Sequence, residues 1–263
     1  MDNSKIIVTQ FWCPFSLLDS NLPEAKNVSL RNNLPCKSLE FFILFIEYLK
    51  TYYSDYHIYI CSNGSPRKIQ EIIEIFDNNY ELIDKERFDI NLQKKYHIKI
   101  FEENLPHTTG FFRCIFDQLN FCYKNNADFF QIESDSLIAY NCEKDLEGKD
   151  FVCYKNVCYE KTATLEPRLL FINKKSLTEE YMSFLNEGFN NIDFCLNQLT
   201  EGPLSSRFCN NDYAWGDLSQ KDKQIHDSNG QVVLSFLKTN PIKSKYYDNI
   251  LPIIEDLVKE NKI

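Results

Sequence analysis

The sequence predicts an α/β fold, a single domain over residues 1–263 whose central sheet is mostly parallel and flanked by helices, with a more irregular C-terminal half. Two observations predict it. Short β-branched or aromatic runs alternate with helix-period segments through the first 140 residues, the pattern of βαβ units. No internal repeat, low-complexity tract or Pro/Gly/Ser-rich linker divides the 263 residues, a length one hydrophobic core can serve.

The elements follow in order. Ile6 to Thr9 is a β-branched run after a polar start and reads as the first buried strand. Leu39, Phe42, Ile43, Ile46, Leu49 and Tyr53 recur at three and four, so Ser38 to Tyr53 predicts a helix with one apolar face. "YHIYIC" is the second strand, closed by the turn "SNGSP". Pro66 then opens a helix carrying Ile69, Ile72, Ile73 and Phe76. "HIKIF" is the third strand. Thr108 or Thr109 is expected to cap the next helix, buried along Phe112, Ile115, Phe116, Leu119 and Cys122. "DFFQI" is the fourth strand. Beyond it, "FVCYKNVCYEKTAT" offers two β-rich runs for a hairpin and "RLLFI" a further strand. Ser176 with Glu179 is expected to form a capping box, and a helix near 248–260 ends the chain.

Composition narrows the function. The net charge of -9 disfavours nucleic acid as a partner, because phosphates repel an acidic surface. Ten singly scattered cysteines, many within apolar runs, read as buried thiols of a reducing compartment rather than disulfides or a zinc site. The amino terminus lacks the apolar run of a signal peptide, and "FFILFIEYL" holds Glu47 and is too short to cross a bilayer. A protein without a transmembrane segment, cytoplasmic in location, is the expectation. Neither GxGxxG nor GxxxxGK[ST] occurs among the seven glycines.

The chemistry-bearing stretch is "FFQIESDSLIAY". In open parallel sheets ligands sit beyond the carboxyl ends of the strands, and Glu133, Ser134 and Asp135 fall at such an end. Carboxylates so placed suit a hard cation, Mn²⁺ or Mg²⁺, which takes oxygen ligands and shares its shell with substrate phosphates. Arg113 lies near the start of the preceding helix, where a cation opposes the helix dipole and an anion is welcome.

His107 to Ser136 resembles the central segment of nucleotide-sugar-dependent glycosyltransferases of the GT-A fold, in which a helix with a basic residue leads to a strand ending in a D-x-D type motif. Here the motif is Glu133-Ser134-Asp135, with Glu in the place of the usual first Asp. The resemblance implies a nucleotide-binding half over residues 1–140 and an acceptor-binding half over 141–263. It implies a nucleotide-diphosphate sugar donor bound by Thr9, Gln10, Phe11, Asn63, Arg113, Glu133 and Ser134, with metal on Asp135 and Glu133. His226 in "KQIHDSN" is the expected third metal ligand. The acidic residue usual after the second strand is absent.

An inverting transferase needs a carboxylate to take the acceptor's proton. "NDYAWGDLS" offers Asp217, preferred, and Asp212, with Tyr213 and Trp215 beside them to stack on an acceptor saccharide. The expected function is therefore metal-dependent transfer of a sugar to a hydroxyl of a glycan or glycoconjugate. A sugar-phosphate nucleotidyltransferase is the first alternative, although "TQFWCPFS" is not its Gly-rich basic loop. A non-catalytic glycan-binding protein on the same scaffold is the second.

Overall fold

A computed structural model describes residues 5–11, 39–64, 73–84, 90–103, 105, 107–134, 137–138, 143–155, 165–190, 216–217, 224–225, 238–239 and 245–259. In chain order the strands are β1 (Ile6–Phe11), β2 (His57–Asn63), β3 (Tyr80–Leu82), β4 (Tyr96–Phe101), β5 (Phe129–Ile132), β6 (Leu137–Ile138), β7 (Phe151–Lys155), β8 (Leu165–Ile172), β9 (Gly216–Asp217) and β10 (Gln224–Ile225). The helices are α1 (Leu39–Tyr52), α2 (His107–Lys124), the short α3 (Glu143–Leu146), α4 (Glu179–Asn190) and α5 (Lys245–Lys259).

Among the described residues eight strands form one sheet in the order β3-β4-β2-β1-β5-β8-β7-β9, and β6 pairs with β10 separately. Strands β3, β4, β2, β1 and β5 run parallel, β8 is reversed, and β9 returns parallel to β7. Strand alternation divides the core into two layers. One face buries Ile7, Phe11, Ile58, Ile60, Phe130 and Ile132 against Phe42, Phe45 and Leu49 of α1 and Tyr247 and Ile250 of α5. The other buries Val8, Tyr59, Cys61 and Phe129 against Ile115, Leu119 and Cys122 of α2 and Tyr181 and Leu185 of α4. Each large apolar side chain so buried contributes about 1.5–3 kcal/mol. Glu47 sits within the apolar α1 because Lys50 holds it at 2.9 Å and donates at 2.7 Å to the carbonyl of Ile75.

The structure corrects several expectations. Strand β1 runs on to Phe11, so Gln10 and Phe11 belong to the strand and not to a loop after it. Helix α2 starts at His107 and encloses Thr108 and Thr109, which therefore do not cap it. The described end of the predicted 66–76 helix, Ile73–Phe76, is a 3-10 turn. Antiparallel partnership falls between β7 and β8, that is between "FVCYK" and "LEPRLLFI"; the second half of the predicted hairpin lies outside the described residues. No capping box opens α4: a 3-10 turn takes Lys174–Ser176, and Thr178 Oγ1 accepts from the Tyr181 amide at 3.2 Å in the N-cap role. Strand β3 has no counterpart in the sequence reading. The described free cysteines Cys61, Cys114 and Cys122 are buried, as scattered thiols should be.

Candidate functional site

The chain passes from β1 to β2 and outward to β4 on one side, then returns to lay β5 against the other side of β1. The strand order therefore reverses between β1 and β5, the place where an open α/β sheet leaves a crevice beyond its carboxyl ends. Register places Val8 opposite Gln131 and Phe11 opposite Ser62. Phe11, Asn63, Phe101 and Ile132 thus end the four strands along one rim. Glu133 and Ser134, both half-buried, follow Ile132 directly.

The β1 end is polar but sealed. Thr9 and Ser62 are fully buried, and their hydroxyls have no hydrogen-bond partner among the described residues. The Thr9 carbonyl accepts from Gln118 Nε2 at 2.6 Å, which ties α2 to the strand end. Gln10 Nε2 and Gln118 Oε1 are likewise buried without a partner among the described residues. The ring of Phe11 lies in the core 4.4 Å from that of Phe42, so its side chain packs below the rim.

Arg113 is at the other side of the rim. Its guanidinium stacks 4.1 Å from the Phe101 ring centroid, and Nη2 donates to Asn63 Oδ1 and, at 2.5 Å, to the Glu103 carbonyl. Asn63 Nδ2 donates at 2.9 Å to the Leu105 carbonyl. Among the described residues no carboxylate pairs with Arg113, so its charge is set against neutral oxygens and a ring face. Asn63 and Glu133 end strands two positions apart, about 10 Å at ordinary strand spacing. Arg113 therefore stands over β2 and β4, not beside Glu133.

Beneath Arg113 lies a buried polar group of residues that the sequence reading missed. Tyr59 Oη and Lys99 Nζ donate to the two carboxylate oxygens of Asp117, and all three residues are under one-tenth exposed. Burial pushes the Tyr59 phenol well above its ordinary value, with the Asp117 carboxylate adding to it, so the phenol remains a donor. The available signal was Asp117-Gln118 set between Ile115 and Leu119 on a helix with apolar spacing.

The C-terminal candidates divide. Antiparallel pairing sets Ile225 opposite Leu137 and Gln224 opposite Ile138. The residue preceding His226 in the chain thus faces a position two beyond Asp135. His226 and Asp135 themselves, like Asp212, Tyr213 and Trp215, lie outside the described residues. The backbone of Asp217 pairs with Cys153 at the β9 edge, three strands from β5 and about 14 Å away along the sheet; its side chain also lies outside what is described. Among the described residues no group of three or more His, Cys, Asp or Glu is gathered to hold a metal ion. Among them, too, no helix is long and apolar enough to cross a membrane.

No family model matches the chain, and no curated protein matches it. Solved structures do. A protein assigned as a nucleotide-diphospho-sugar transferase from Desulfovibrio desulfuricans G20 is similar at 10% identity and TM-score 0.46, over 97% of this chain and 98% of that one. S. aureus TarS, solved with UDP, is similar at 10% identity and TM-score 0.45, over 98% and 72%. A cytidylyltransferase from Leptospira borgpetersenii is similar at 12% identity and TM-score 0.42, over 99% and 95%. The architecture is the GT-A-like one implied by the segment His107 to Ser136, and it rests on this chain's own sheet: a parallel array reversing beside β1, with one reversed strand after the acidic end.

Proposed function

We propose that the protein is a glycosyltransferase that uses a nucleotide-diphosphate sugar and a divalent cation, Mn²⁺ or Mg²⁺, to glycosylate a saccharide or glycoconjugate hydroxyl. One observation carries the reading: the switch point between β1 and β5 coincides with the end of the strand that runs into Glu133-Ser134-Asp135, and the β6–β10 pair returns the chain beside that end. Strand spacing gives this rim the reach of a nucleotide, with about 10 Å between the Asn63 and Glu133 strand ends.

Two carboxylates and an imidazole form a donor set that fits Mn²⁺ well, and fits Mg²⁺ through its oxygens. Asp135, Glu133 and His226 would hold the ion, which when bound neutralises charge on the departing nucleoside diphosphate. The remaining roles belong to the chain. Arg113 offers a cation fixed by Asn63 and Phe101 to the donor's nucleotide end. Ser134 and Gln10 border the crevice, with Thr9 buried beneath it. Asp217, or Asp212, takes the proton of the acceptor hydroxyl in an inverting displacement, and Tyr213 and Trp215 receive the acceptor sugar.

The experiment is a screen of UDP-, GDP- and CDP-sugars for Mn²⁺-dependent release of the nucleoside diphosphate. Release that stops with chelator and in Asp135→Ala supports the reading. Pyrophosphate release from a nucleoside triphosphate and a sugar phosphate would replace it with nucleotidyl transfer.

A further inference from the structure

The buried group under Arg113 has an energetic cost that packing does not explain. Lys99 is 2% exposed and Asp117 8%, within a mostly apolar layer whose other buried polar side chains, His97, Gln118 and Gln131, are neighbours on the same face. Desolvating such a pair offsets much of its attraction, and replacing a buried pair by apolar residues is often neutral or stabilising. What a buried pair supplies well is register, because it can be satisfied in one alignment only.

Helix α2 needs such a device. Its apolar contacts, Phe112, Ile115, Leu119 and Cys122, recur at three and four, so a slip of one turn, about 5.4 Å, would still set apolar groups against the sheet. Its other ridge is specific. Gly110, Arg113, Asp117 and Phe121 are spaced three, four and four, and they meet one row of β2 in reverse order. Gly110 and Arg113 meet Asn63. Asp117 meets Tyr59 and has Cys61 Sγ at 4.0 Å. Phe121 stacks on Tyr59 at 3.9 Å and 15°. The same Lys99 ammonium that binds Asp117 lies 5.5 Å from the Phe101 ring, whose centroid is 4.1 Å from Arg113 Cζ. A contiguous set of contacts therefore joins the buried pair to the guanidinium at the rim.

We propose that Asp117, with Lys99 and Tyr59, is a positioning group: it sets the axial register of α2 on β2 and β4 and so holds Arg113 against Asn63 at the crevice. That Arg113 serves donor binding rests on the proposed function; that the pair positions Arg113 does not.

The test uses the full chain in three forms. One is the apolar triple variant Tyr59→Phe, Lys99→Met, Asp117→Leu. The second is Tyr59→Phe alone, a milder change that keeps the ion pair. The third is Arg113→Ala, with and without the triple change. The direct readout is the Arg113 Nε–H resonance, which a merely structural role would leave in place. The proposal expects a distinct, slowly exchanging signal in the unaltered protein. It expects this signal to move towards that of free arginine in the triple variant, at a melting temperature equal to or above the parent's, and to shift partway in Tyr59→Phe. An unmoved signal in Tyr59→Phe and in a folded triple variant overturns the proposal; should the triple variant not fold, Tyr59→Phe decides alone. The second readout is titration with UDP, GDP and CDP. The triple change is expected to weaken binding about tenfold in the parent and not at all in Arg113→Ala; equal weakening in both backgrounds also overturns the proposal. A parent that binds none of the three contradicts the proposed function and leaves the resonance test standing.

Discussion

Asn63 occupies the space that a methyl group on Gly110 would need: an ideal Cβ built at position 110 falls 1.9 Å from Asn63 Nδ2 and 2.3 Å from its Cγ. The first turn of α2 and the end of β2 are thus in backbone-to-side-chain contact, and the Arg113 bracket closes over that contact.

Gly110→Ala should therefore destabilise the protein although alanine is the better helix former by about 1 kcal/mol. Asn63 cannot yield without releasing Leu105 and Arg113, and overpacking of this kind costs about 1–3 kcal/mol. Urea unfolding measures it. Adding Asn63→Ala should remove the steric part, so the double variant loses less than the two single losses added. Additive losses would mean that the contact is not made.

Thr9→Val should raise stability by about 1 kcal/mol. The Thr9 hydroxyl is buried without a partner among the described residues, and a buried unmet hydroxyl carries its full desolvation cost. A lower melting temperature in Thr9→Val would show that this hydroxyl is satisfied.

Acid should weaken the fold through His97. Its ring is fully buried, with Nδ1 2.7 Å from Glu81 Oε1 on β3 and Nε2 3.3 Å from His57 Nδ1 on β2. Burial lowers its pKa from the ordinary 6.5, and the Glu81 carboxylate only partly opposes this. The folded state therefore disfavours the proton that the unfolded chain accepts. The stability contribution is complete above pH 6.5 and is lost as pH falls from there through the depressed folded value. Denaturant unfolding at about pH 7 and about pH 5.5 should show this loss, and His97→Gln should reduce the difference. An undiminished difference in His97→Gln would assign it to other groups.

Much of the sheet was legible because its strands are short apolar runs between helices of clear 3.6 period; β1, β2, β4 and β5 and the helices α1 and α2 are of this kind. Strand β3 was not, since "YEL" has only three residues and leaves Leu82 exposed, and its link to His97 through Glu81 shows only once β4 lies beside it. The β7–β8 pairing was hidden by the distance between its partners in the chain. At the site, the acid-bearing strand end and Arg113 were legible as residue types. The setting of Arg113 over β2 and β4 depends on where α2 starts, and a cap at Thr108 or Thr109 puts that start two to three residues late. Lys99 and Asp117 were hidden for a different reason: a Lys in a strand and an Asp on a helix look like solvated positions until the fold puts them together.

Central to the proposed function is the binding of a nucleoside diphosphate in the crevice between β1 and β5, through a cation at the Glu133-Ser134-Asp135 end. Titration calorimetry of the protein with UDP, GDP and CDP, with and without Mn²⁺, tests it most directly when Asp135→Ala is run beside the parent. The expected result is Mn²⁺-dependent binding of at least one nucleotide, abolished by chelator and weakened about tenfold or more in Asp135→Ala. Binding that ignores both Mn²⁺ and the substitution, or no binding of any of the three, would contradict it.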